Sequence, residues 1–206
     1  MKYIFENIEE KELEEVADLP VVEASTKAKS QALIFAGVAF LSLMVPFGFG
    51  HPQLLIGAII NAILFLAVLF LPKKYWLPLI IFPSLGVLTR GLIFGPLTFF
   101  LIYFLPFIWL GNWILMLVFE KVINKFKINQ TNSFKFYFKY LFAVLLASLT
   151  KFTFLFLTAN LYFNLKVVPK IFVVSMGLNQ LGTALAGGII SLLIFKAFKN
   201  YKINNI

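Results

Sequence analysis

The sequence predicts an all-α, polytopic membrane protein, and three observations carry that prediction. Of its 206 residues, 61% are hydrophobic and 13% are charged, whereas a soluble domain is about 45–50% apolar and about 25% charged. From residue 31 onward apolar runs recur, each of roughly 20 residues and therefore long enough to cross a bilayer as a helix. The runs are continuously apolar. Hydrocarbon offers no partner to a free backbone amide, so spanning segments are helices or a closed barrel. A barrel needs alternation, and these runs exclude it.

Charge divides the chain sharply. Residues 1–24 hold eight acids against Lys2 and Lys11, a net of −6, while the remainder holds sixteen basic residues against Glu120 alone, a net of +15. This is an acidic tail (1–24) on a basic membrane domain (25–200), with 201–206 as a short C-terminal tail. In the tail, Phe5, Ile8, Leu13 and Val16 recur at helical spacing with acids between them, and Pro20 closes the pattern. It reads as a solvated helix or as a docking helix for a cytoplasmic partner. The tail is too long and acidic for a signal-peptide start, so the first apolar segment is expected to be retained. No cysteine is present, which removes thiolate and disulfide chemistry. Abundant lysine, asparagine, isoleucine and phenylalanine suggest an AT-rich bacterial source.

Six transmembrane helices follow. The first spans about residues 30–47 and ends in "PFGFGHP", a Gly/Pro turn. The second spans about 53–71 and stops at Pro72-Lys73-Lys74. The 45 residues from Tyr75 to Phe119 are too long for one span, and Gly95-Pro96 divides them into 76–94 and 97–119. The last two are about 140–163 and 171–195.

Lysine placement sets the orientation. With both termini in the cytoplasm, twelve lysines flank the spans inside, against Lys166, Lys170 and nearby Arg90 outside. The loop "EKVINKFKINQTNSFKFYFK" (120–139) mixes lysine with aromatic residues. That mixture suits the interface of an anionic leaflet rather than nucleic acid.

Within the spans, a few polar residues stand out. Arg90, the chain's one arginine, lies four residues before the end of the third span, about 6 Å inside the outer boundary. It reads as an interfacial anchor or as a ligand counter-ion, and glycines at 86, 91 and 95 leave room for close approach. The planar guanidinium favours the second reading, because anchoring elsewhere is left to lysine. Segment six carries Ser175, Asn179 and Thr183 four residues apart, with Gly182 and Ala186 on nearby turns. This stripe serves a ligand or helix packing. Lys151 sits mid-segment five, with Thr158 on the same face. A mid-membrane ammonium costs at least about 2.5 kcal/mol and normally faces a cavity or a partner. His51, the one histidine, is placed to cap the outer half from its turn, where Asn160 and Asn164 also lie; Asn61 falls near mid-depth and Asn112 in the inner half. Trp109 or Tyr103 would line a pocket.

The absences narrow the function classes. There is no G-x-x-x-x-G-K-[ST] phosphate loop, no His/Cys set for a metal, and no carboxylate inside a span for proton coupling. No catalytic residue, metal ligand or cofactor is assigned, and the chain is not expected to be an enzyme.

The topology, with Ala32 and Ala36 of "QALIFAGVAF" near the cytoplasmic end of the first span, resembles the substrate-binding S components of energy-coupling factor transporters. That family carries A-x-x-x-A at this place, where it packs on the transmembrane T component. The resemblance implies a six-helix bacterial plasma-membrane protein that captures a small molecule from outside, with two ATPase subunits supplying power. The acidic tail is not part of the pattern, and the histidine-rich N-terminus of its nickel and cobalt members is missing. The site residues themselves suit a small anionic or zwitterionic solute, bound by Arg90, Lys151, Ser175, Asn179 and Thr183 under His51. A non-transporting accessory or assembly protein is the alternative. An autonomous carrier or intramembrane enzyme is a third.

Overall fold

The computed structural model describes residues 21–49, 52–94, 98–126 and 134–204. The acidic tail to residue 20, His51, Gly95-Pro96 and residues 127–133 of the basic loop lie outside them. Among the described residues the chain is all helical: α1 (Val21–Gly48), α2 (Gln53–Phe70), a 3-10 turn (Lys73–Tyr75), α3 (Trp76–Phe94), α4 (Thr98–Lys125), α5 (Phe134–Asn164), α6 (Ile171–Met176) and α7 (Leu178–Asn204). Among the described residues, five helical segments are long and apolar enough to cross a membrane: 28–48, 53–70, 100–125, 135–164 and 171–198. At 19 residues, α3 is about 28 Å long. The protein is an all-α, polytopic membrane protein.

The chain forms two compact units, Met1–Gly37 and Val38–Ile206. In the first, the opening turns of α1 expose Leu33, and Ala32 and Ala36 are exposed with it.

The second unit is the bundle, and α2 is its centre. Residues 60–65 of α2 are buried without a gap, so every face of the helix is covered rather than one stripe. Its main neighbour is α7, and α5 packs in turn on α4 and α7. Adjacent glycines let α7 in between. A Cβ on Gly187 would stand 2.7 Å from Ala58 O, Ala62 N and Asn61 Cβ of α2, and one on Gly188 would run into Val144 Cγ1 of α5. Successive helical residues point about 100° apart, so the pair seats α7 against two helices at one level.

The helices overrun their predicted spans mainly at one end. α4 continues to Lys125, α5 begins at Phe134, and α7 continues to Asn204. Hydropathy marks only the apolar part of a helix, whereas the backbone ladder continues beyond it. These overruns gather one basic, aromatic end. Lys73 Nζ lies 2.9 Å from Glu120 Oε2 and over the Trp76 ring, Lys139 lies over Phe126, and Lys196 over Tyr137. An ion pair this exposed contributes little stability; its value is in showing that these ends meet.

At the opposite end, α5 closes with Lys166 in the left-handed region (φ 57°). Val167 N–H donates to Tyr162 O at 2.9 Å, and Lys166 N–H to Phe163 O at 2.9 Å. This pairing satisfies the last carbonyls. The chain then returns through α6, whose Phe172 stacks on Phe104 of α4 with ring centroids 5.5 Å apart. Phe104, Leu155, Ala159, Val168, Phe172 and Met176 form a tightly buried cluster there. The predicted sixth span is therefore divided. Gly177 (φ −98°, ψ −108°) separates α6 from α7, and a Cβ there would meet Val173 O at 2.6 Å and the Phe156 ring at 2.8 Å.

Candidate functional site

Three helices bring polar side chains together at the bundle core. Lys151 of α5 is 3% exposed, and its Nζ donates to Asn61 Oδ1 of α2 at 2.8 Å. Asn61 Nδ2 donates to Gly57 O at 2.8 Å and to Thr183 Oγ1 of α7 at 3.2 Å. Thr183 Oγ1 in turn donates to Gln180 O at 3.2 Å.

Local sequence makes the convergence possible. A Cβ on Gly57 would stand 2.8 Å from Thr183 Cγ2. Gly187, one turn further along α7, lets the α2 and α7 backbones approach closely beside Asn61, while Gly57 makes room for the Thr183 side chain. Both amide hydrogens of Asn61 are used, and its carbonyl oxygen faces the lysine.

The electrostatics are unusual. An ammonium has three donors, and among the described residues Lys151 finds one acceptor, a neutral amide. Beyond residue 24 the sequence has one carboxylate, Glu120, and it is committed to Lys73 at the basic end. One turn before Lys151 on the same face of α5, Ser148 is fully buried and its Oγ has no hydrogen-bond partner among the described residues. Neighbouring hydroxyls behave differently: Thr150 bonds back to Leu146 O and Thr158 to Phe154 O.

The other predicted site residues are distributed elsewhere. Arg90 Nη1 donates to Phe47 O at 3.2 Å, so it bridges the end of α3 to the end of α1. The two helices also touch where Gly86 meets Leu43 O. A cation on the last carbonyls of a helix is favourable there. Arg90 and Lys151 thus belong to separate polar centres. Removing the guanidinium, as in Arg90→Ala, is expected to cost about 1 kcal/mol, seen as a lower midpoint of thermal unfolding; an unchanged midpoint would mean the α1–α3 tie carries no weight.

Ser175 and Asn179 are half-buried on α6 and α7, on either side of the Gly177 break. The four-residue stripe is therefore not continuous, and of its members only Thr183 joins Lys151. His51 lies outside the described residues. Trp109 Nε1 donates to Ser84 Oγ at 2.6 Å, tying α4 to α3, and Tyr103 is exposed. Asn160 bonds back to Phe156 O, and Asn112 Nδ2 reaches Ile80 O at 3.4 Å. A shallow groove of about 470 Å³ crosses the α4–α5 surface, lined by Ile114, Leu149, Thr150, Thr153, Phe154 and Leu157; it includes none of the predicted site residues.

Asn61 and Ser148 are the residues sequence reasoning did not place in the site. The available signal was depth, since Asn61 and Lys151 both fall at mid-span.

No family model matches the chain, and neither a curated protein nor a solved structure is significantly similar to it.

Proposed function

We propose that this chain is the solute-binding subunit of a multi-subunit importer in a bacterial plasma membrane, taking a small anionic or zwitterionic solute. The observation that carries the reading is Lys151, an ammonium in the bundle core that meets, among the described residues, one neutral acceptor and no carboxylate. Insertion of such a charge costs at least about 2.5 kcal/mol, which is why ionisable residues inside membranes mark ligand and ion pathways. A bound anion would supply the missing counter-charge.

Capture rather than pumping fits the rest of the sequence. The chain has no phosphate loop and no carboxylate within a span, so energy would come from partner ATPase subunits through a transmembrane coupling subunit. Ala32 and Ala36, exposed on α1, suit close packing against such a partner, because small residues let membrane helices approach.

The test is thermal unfolding of the detergent-purified protein across vitamins, nucleobases and small carboxylates. A ligand at 100 times its dissociation constant stabilises by about 2.7 kcal/mol. The expected result is a hit whose stabilisation disappears in Lys151→Met while that variant remains folded. Silence across the panel from a well-folded protein would overturn the reading in favour of an accessory or assembly role.

A further inference from the structure

Resting on the binding reading above, the geometry points to a narrower ligand class. We infer that the Lys151 centre takes a single carboxylate-type monoanion, and that Ser148 is a second ligand contact.

The charge inventory separates a monoanion from its alternatives. Lys151 is the one cation buried among the described residues, and Arg90, at the α1–α3 seam, belongs to another centre. A dianion would bring one charge more than the core can match, and an unmatched buried charge is expensive. A zwitterion would bring an ammonium beside Lys151, where like charges repel. It would find no carboxylate partner among the described residues of the bundle, since Glu120 pairs with Lys73 at the basic end.

The donors fit a carboxylate. Two hydrogens of the Lys151 ammonium have no acceptor among the described residues, where its one bond goes to Asn61. Ser148 Oγ is buried on the same α5 face without a partner among the described residues. A lysine in a helix runs back over the preceding turn, which here is the turn of Ala147 and Ser148. Two unused ammonium hydrogens and one unused hydroxyl therefore share one patch. A carboxylate accepts through two oxygens, so it can take one hydrogen bond from Lys151 and one from Ser148. Both bonds are charge-assisted, the stronger class of hydrogen bond.

Acetate and glycine, which differ by one ammonium group, separate the classes. The experiment titrates each against the thermal midpoint of the purified full-length protein, with Lys151→Met and Ser148→Ala beside it. Expected are a saturable upward shift with acetate, none with glycine, loss of the shift in Lys151→Met, and roughly tenfold weaker acetate binding in Ser148→Ala. Ser148→Ala removes an unsatisfied hydroxyl and adds no bulk, so the variant is expected to fold.

Glycine acting as strongly as acetate, or acetate acting equally on Lys151→Met, would overturn the monoanion assignment. Unchanged acetate affinity in Ser148→Ala would overturn the second contact. A Lys151-dependent zwitterionic hit in the broad panel would sink this inference and leave the binding-subunit reading standing, whereas silence in the panel would sink that reading itself.

Discussion

Gly187→Val is expected to yield no folded bundle. A Cβ at this position would stand 2.7 Å from Ala58 O, Ala62 N and Asn61 Cβ, and two of those atoms are α2 backbone. A side chain can rotate away from such a contact, but a backbone carbonyl can move only with its helix. That helix is the centre of the bundle, with residues 60–65 buried on all sides. Overpacking a core usually costs about 1–3 kcal/mol. Forcing α2 and α7 apart also breaks the Asn61–Thr183 bond and shifts Gly188 from Val144. The sum approaches the lower end of the stability of an ordinary domain, about 5–15 kcal/mol. Gly187→Ala is expected to be folded and clearly weakened, while Gly182→Ala, with nothing within 4 Å of its added Cβ, is expected to be neutral or slightly stabilising. Size-exclusion profiles and thermal midpoints in detergent measure all three. A Gly187→Val protein that unfolds like the parent would show that α2 and α7 do not meet as described.

That contrast also shows how sequence legibility varied. Apolar run length and punctuation marked the ends of two helices: α2 ends at Phe70 beside Pro72-Lys73-Lys74, and α3 covers Trp76–Phe94. Hydropathy does not record which small residues touch another helix. Gly182 belongs to the visible polar stripe, yet a Cβ added there would meet nothing within 4 Å, whereas Gly187 and Gly188, which carry the packing, look like ordinary small residues in an apolar run. The break at Gly177 was hidden for a similar reason, because a lone glycine is tolerated inside a helix and only the Val173 carbonyl and Phe156 ring explain this one. Lys151 was conspicuous by depth. Its partner Asn61 is 90 positions away, and no local period links residues at that distance. Arg90 was conspicuous by its chemistry, but a helix-end carbonyl accepts from a guanidinium as a ligand would, and sequence does not separate the two.

Asn61 and Lys151 are expected to be strongly non-additive. Asn61→Leu removes the ammonium's one acceptor among the described residues and leaves a buried charge with no partner, a class of change that costs about 3–5 kcal/mol. Lys151→Met removes the charge itself. Its effect is the difference between relief of at least about 2.5 kcal/mol and the cost of leaving the Asn61 carbonyl unmet, about 1–3 kcal/mol. It is therefore expected to be close to neutral. The double variant replaces the polar pair with apolar groups of similar size, as in buried ion pairs whose replacement is neutral or stabilising. It is expected to recover the stability lost in Asn61→Leu. Thermal midpoints of the four proteins close the cycle. An Asn61→Leu variant as stable as its parent would show that the Lys151 charge is satisfied some other way and would remove the electrostatic basis for a ligand. Recovery in the double variant, with ligand binding lost, would show that the fold tolerates an apolar centre and that the lysine serves the solute.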